Sequence, residues 1–256
     1  MSTYIGNIRI TTNDIIKNWW KLAYFENGVP VLFNSKYGAL YNWMAATDSR
    51  NIANTGWSVP DDAKWSTLVD TFMGGNVEGR LKEAGTTYWL NPNLGTTNQY
   101  NFNLRGAGFR AGLGDLNTDA LTQGFFELLK TTVVWNTTYG VVIMNDAISA
   151  VAHPQLNPSG DVSHKVGGSI RLVKNTPTAL EISLSDGATA LPYIGNDGKV
   201  YRTVKLGSQV WLADNIAETK YRNGDTIPEL TLDLDWSNTT VGAMCYFNND
   251  ITNSYL

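Results

Sequence analysis

Between Asp61 and Met73 the apolar residues Trp65, Leu68, Val69 and Phe72 recur at i, i+3, i+4 and i+7, which lines one face of a helix. Pro60 precedes the run, Asp61 offers a side-chain oxygen to the free amides of the first turn, and Gly74-Gly75 ends it. Leu40, Trp43 and Met44, beside Tyr37 and Tyr41, predict a second, shorter helix with an aromatic face turned inward. Ser169-Ile170-Arg171-Leu172-Val173 alternates with the period of a β-branched strand. Leu180-Glu181-Ile182-Ser183-Leu184 alternates in the same way and predicts a short edge strand. Elsewhere short strands are punctuated by turns at Asn91-Pro92-Asn93-Leu94-Gly95, Arg105-Gly106-Ala107-Gly108 and Gly112-Leu113-Gly114-Asp115. The pattern predicts an α+β fold with two short helices and long loops.

The same pattern repeats. Ile8-Arg9-Ile10, Lys17-Asn18 and Phe25-Glu26-Asn27-Gly28 align at one constant spacing with Val204-Lys205-Leu206, Ala213-Asp214 and Tyr221-Arg222-Asn223-Gly224. Each copy reads as a short alternating strand, a second apolar segment and an Asn-Gly turn. The later copy continues through Trp236 to Met244-Cys245-Tyr246-Phe247-Asn248-Asn249-Asp250, a stretch the first copy lacks. The stretch from Lys174 to Pro192 is rich in Thr, Ser, Ala, Asp and Pro. The expected organisation is a unit over residues 1–175, a linker over 176–192, and over 193–256 the opening third of a second unit.

Composition narrows the function classes. Of the 256 residues, 43% are hydrophobic and only 16% charged, so the chain is too apolar for intrinsic disorder and wets its surface with amides and hydroxyls. No apolar run approaches the ~18 residues of a membrane helix. A net charge of −4 without a basic cluster disfavours nucleic acid as a partner. The single cysteine, Cys245, can form neither an intrachain disulfide nor a Cys-rich zinc site and reads as a small buried hydrophobe. The first residues lack the basic start, apolar stretch and cleavage site of a signal peptide, so the expectation is assembly in a bacterial cytoplasm.

Taken in order, Gly38-Ala39-Leu40-Tyr41-Asn42-Trp43, Gly56-Trp57-Ser58-Val59-Pro60, Lys64-Trp65, Leu81-Lys82, Gly108-Phe109-Arg110, Trp135-Asn136-Thr137-Thr138 and Gly168-Ser169-Ile170-Arg171-Leu172-Val173 resemble the Fibrobacter succinogenes major paralogous domain. The segments Tyr201 to Asn215, Tyr221 to Asp225 and Cys245 to Asp250 resemble the opening of the same family. The resemblance implies a C-type-lectin-like fold, related to that of formylglycine-generating enzymes, with short antiparallel strands. It also implies a setting in surface proteins of Bacteroidetes or in structural and fibre proteins of their phages. Against the family pattern, Asn54 and Thr55 stand where a cysteine is expected, and Cys245 alone remains.

Candidate chemistry is sparse. A formylglycine-generating relative would need a reactive cysteine pair, which one cysteine cannot supply. His153 and His164 lie in polar, turn-rich sequence with no acidic residue at metal-ligand spacing. Asp61-Asp62 fits the start of a helix, where negative charge offsets exposed amides, and Gly106-Ala107-Gly108 lacks the context of a phosphate loop. The expectation is therefore no enzyme, no cofactor and no metal. Calcium-dependent sugar binding would need carboxylates that Trp135-Asn136-Thr137 and Asn91-Pro92-Asn93 do not offer. A metal-free ligand face could use Trp89, Tyr100, Trp135, Asn136 and Tyr139 as apolar plates with polar tips.

A partial second unit would leave Trp211, Trp236, Tyr246 and Phe247 wet unless they pack against the region of Tyr37 and Tyr41, in this chain or in a neighbouring copy. The expected role is a virion structural or fibre protein acting in assembly and host-surface attachment. Its partners would be other copies of itself, other virion proteins and a host surface glycan or protein, without membrane insertion. The alternative is a carbohydrate-binding or adhesin module on a bacterial surface.

Overall fold

A computed structural model describes residues 32–33, 35–72, 77–89, 93, 95–110 and 163–255, and further short strands as backbone alone. In chain order the strands are β1 (Thr3–Ile5), β2 (Ile8–Ile10), β3 (Phe25–Glu26), β4 (Val29–Pro30), β5 (Leu40–Tyr41), β6 (Trp57–Ser58), β7 (Phe109–Arg110) and β8 (Phe125–Phe126). They continue as β9 (Thr131–Asn136), β10 (Gly140–Asn145), β11 (Val173–Lys174), β12 (Tyr193–Ile194), β13 (Val200–Tyr201), β14 (Thr203–Leu206), β15 (Gln209–Leu212) and β16 (Met244–Cys245). The helices are α1 (Trp43–Ala46), α2 (Asp62–Thr71), α3 (Val77–Leu81), α4 (Ala179–Ile182) and α5 (Asp233–Asn238). The fold is mixed α+β, with small antiparallel sheets and few helices.

Helix α2 forms where the periodicity places it. Asp61 caps it by accepting the Lys64 N–H at 2.8 Å, Trp65 and Leu68 are buried, and Phe72 closes the last turn. Helix α1 begins at Trp43; Leu40 and Tyr41, expected to be helical, belong to strand β5. The strand expected over residues 169–173 is reduced to Val173–Lys174, although residues 166–173 are buried throughout.

Leu180 to Leu184 is a correction. Most of the segment is helix α4, because Thr178 and Glu181 form a reciprocal capping box and the Lys174 ammonium meets the Glu181 carboxylate at 2.7 Å. Leu180 and Ile182 are exposed, so the alternation has no buried face to serve as a strand.

The largest sheet runs β14-β15-β11-β6, antiparallel throughout. Trp211 of β15 lies opposite Val173 of β11, which lies opposite Ser58 of β6. Strands from the C-terminal segment therefore continue a sheet begun more than a hundred residues earlier. Strand β16 pairs with β5 through Met244 with Tyr41 and Cys245 with Leu40. Beside them Ser35 bridges Tyr255, and Lys36 N–H donates to the Ser254 carbonyl at 3.1 Å.

Both parts build the core. Tyr41, Ile52, Ile170 and Leu172 share one buried cluster with Tyr201, Leu212, Ile216 and Tyr221. Trp65, Leu68, Phe72, Trp89 and Phe102 enclose Leu206 and Trp211 in another. At about 25 cal/mol per Å² and roughly 200 Å² for a tryptophan, burying Trp211 alone is worth about 5 kcal/mol. Closing a loop of this length costs on the order of 2–3 kcal/mol, less than this burial returns.

Candidate functional site

The most heavily built polar structure in the described residues is the seam between residues 35–174 and 193–255. Arg171 is 1% exposed and sits at its centre. Its Nε donates to Asn215 Oδ1 at 2.8 Å, Nη1 to the Ala213 carbonyl at 3.0 Å and to that of Phe102, and Nη2 to the Asn103 carbonyl at 2.8 Å. The guanidinium also lies 4.4 Å from the centre of the Phe102 ring. Burial pulls it down to about 9, against the opposing pull of Asp214, so it stays charged at neutral pH.

Asn215 distributes the same junction. Its Nδ2 donates to the Tyr37 carbonyl at 3.0 Å and to Ser169 Oγ at 3.1 Å, while its own carbonyl accepts Ser35 Oγ at 3.0 Å. Gly38 has φ +76°, and a Cβ there would stand 2.5 Å from the Ile216 carbonyl oxygen, so only glycine permits this approach.

Arg110 fastens the other end. Its guanidinium donates to the Leu230 carbonyl at 2.6 Å, the Thr231 carbonyl at 3.2 Å and Asp233 Oδ1 at 2.7 Å, 4.6 Å from the centre of the Trp236 ring. Asn42 works on both sides at once. Its Oδ1 caps α1 through the Ala45 N–H and also accepts the Ala243 N–H, and its Nδ2 donates to the Val241 carbonyl. Arg105 ties Glu83 to the Ser35 and Lys36 carbonyls beneath the Tyr88 ring.

The sequence carries a trace of these roles. Arg171 interrupts the run Ile170-Arg171-Leu172-Val173 and Asn42 stands within Leu40-Tyr41-Asn42-Trp43, each a polar residue among core neighbours. Such a residue must find partners once buried.

Of the aromatic residues singled out for ligand contact, Trp89 is a correction. It is 0% exposed, donates Nε1 to the Leu104 carbonyl at 2.9 Å and is covered by the Lys82 ammonium at 4.2 Å, so its ring is core and cannot serve as a plate. Tyr100 is half-buried and stacks on Phe72 with centroids 4.2 Å apart. The side chains of Trp135 and Asn136, and Tyr139 and His153, lie outside the described residues.

The packing residues come together along the seam. Tyr37 meets Phe247 at 6.3 Å, Tyr41 shares a cluster with Tyr246, Trp211 meets Trp65 at 4.8 Å, and Trp236 packs with Leu40 and Cys245. His164 stacks on Trp43 at 6.0 Å. Cys245 is a free, buried thiol, and burial pushes it up to about 11. Among the described residues no group of three or more His, Cys, Asp or Glu is placed to hold a metal ion, and no helix is long and apolar enough to cross a membrane.

A family model described as the Fibrobacter succinogenes major domain matches residues 21–174. No curated protein and no solved structure matches the chain.

Proposed function

Because the chain belongs to the Fibrobacter succinogenes major domain family, we propose that it is a non-enzymatic structural or fibre protein of a phage virion, acting in assembly and in attachment to the host surface. On this reading the unit has a C-type-lectin-like fold. It is completed by residues 193–256, the opening third of a second copy, supplied from the far end of the chain.

The observation that carries the proposal is the seam. Arg110, Arg171, Asn42 and Asn215 are all committed to joining the two parts, so the buried polar side chains serve rigidity. A body of this kind suits a particle component that bears load without turning over a substrate. The expected partners are other copies of the chain and other virion proteins, which would meet it through the outer surface of the joined body.

Immunogold labelling of purified phage particles with antibodies against the chain tests the proposal. Labelled capsids or tails are expected. Unlabelled particles, together with sub-millimolar glycan binding by the isolated chain on an array, would move the function to an adhesin of the bacterial surface.

A further inference from the structure

The hairpin formed by β12 and β13 is fastened to the body around a buried carboxyl group. Glu218 is 0% exposed and lies just after β15. Its Oε2 accepts the Asp197 N–H at 3.3 Å, and its Oε1 has no hydrogen-bond partner. Gly195, in the turn of the hairpin, approaches so closely that a Cβ there would stand 1.7 Å from Oε1, so the carboxyl packs directly against the hairpin backbone.

The titratable groups facing Glu218 come from each element packed on it. Asp197 and Lys199 belong to the hairpin turn, Tyr193 and Tyr201 to its two strands, and Tyr41 of β5 donates its hydroxyl to the Glu218 carbonyl at 2.9 Å. Lys199 is paired with Asp197, whose carboxylate also accepts the Thr219 N–H at 3.0 Å and hydroxyl at 3.1 Å. Two carboxyl groups therefore face one ammonium, and the ammonium is bonded to the more accessible of the two. Burial away from water and a neighbouring carboxyl both disfavour the charged form of Glu218, and among the described residues no ammonium is hydrogen-bonded to it, so its neutral form is favoured.

We propose that Glu218 is a proton-operated latch, which in its neutral form holds the β12–β13 hairpin in place and on losing its proton releases it. The hairpin in turn holds the loop before β6. Asn54 N–H donates to the Tyr193 hydroxyl at 2.9 Å, Asn54 Nδ2 to the Ile194 carbonyl at 3.1 Å, and Asn196 Nδ2 to the Ile52 carbonyl at 2.8 Å. Burial, and then Asp197, hold the Glu218 carboxyl well above the usual carboxylate range. For an acid raised in this way the folded state binds the extra proton. The contribution of Glu218 to stability is complete below its unfolded pKa, about 4.3, and is lost as pH rises towards the folded value. The latch opens on the alkaline side and stands independently of the virion reading.

Amide exchange of residues 193–201, corrected for intrinsic rates, tests this in the full chain. Protection is expected to fall about tenfold per pH unit above pH ~5.5 in the wild type, the signature of one linked proton, and to stay flat in Glu218→Gln. Carbon-13 titration of the Glu218 carboxyl in the wild type is the second measurement and needs no variant. A carboxyl that ionises in the ordinary range, or a Glu218→Gln variant with the wild-type slope, would overturn the proposal.

Discussion

Arg171 makes four hydrogen bonds to uncharged oxygens, three of them main-chain carbonyls. Removing the guanidinium leaves those acceptors buried and unsatisfied, which costs more than the bonds themselves are worth. Arg171→Met is expected to lose about 3–5 kcal/mol in urea unfolding, and Arg171→Lys most of that, since one ammonium cannot span the planar fork. Gly38→Ala is expected to destabilise by about 1–3 kcal/mol in the same measurement, because φ +76° and the nearby Ile216 carbonyl both oppose a Cβ. At this scale the chemistry was only partly legible. A charged residue inside Ile170-Arg171-Leu172-Val173 announces that something buried must receive it, but its acceptors at Phe102, Asn103, Ala213 and Asn215 come from distant stretches that only the fold brings together. Trp89 failed as a ligand plate for a related reason: an aromatic residue between turns reads the same whether its ring faces solvent or, as here, the core.

Local signals decided the elements where they were self-contained. Helix α2 is specified by a cap and a periodic apolar face lying within one short stretch. Period two misled at Leu180 to Leu184, where exposed side chains make alternation uninformative and the Thr178 and Glu181 capping box outweighs it. Thr178→Ala is expected to cost about 1 kcal/mol, read as a lowered midpoint in thermal unfolding. Burial pushes the Glu181 carboxyl up, but Lys174 and Thr178 pull it further down, leaving it below the usual carboxylate range. A depressed carboxylate contributes stability above its unfolded pKa and loses it as pH falls through the folded value. The gap in melting temperature between the wild type and Glu181→Gln should therefore be present at pH 7 and shrink below pH ~4.

At the scale of the molecule residues 35–174 and 193–255 share a sheet, a strand pair and a core, and the stretch between them is itself packed on the body through helix α4, the buried Ala190 and the Gly187 N–H on the Lys205 carbonyl. A protease site introduced at the exposed Ser183 or Ser185 should yield two fragments that elute as one species in native buffer and separate in urea; fragments that part in native buffer would contradict the seam. The sequence by itself determined the helix with complete local signals, α2, and the apolar residues that had to be covered. It did so because capping and periodicity act over a few residues, and because apolar surface must be removed from water wherever the chain goes. Only the tertiary structure decided what covers them. Which strand joins β11, which carbonyls receive Arg110 and Arg171, and which carboxyl lies trapped beneath Gly195 depend on contacts between distant segments, and no local pattern encodes their choice of partner.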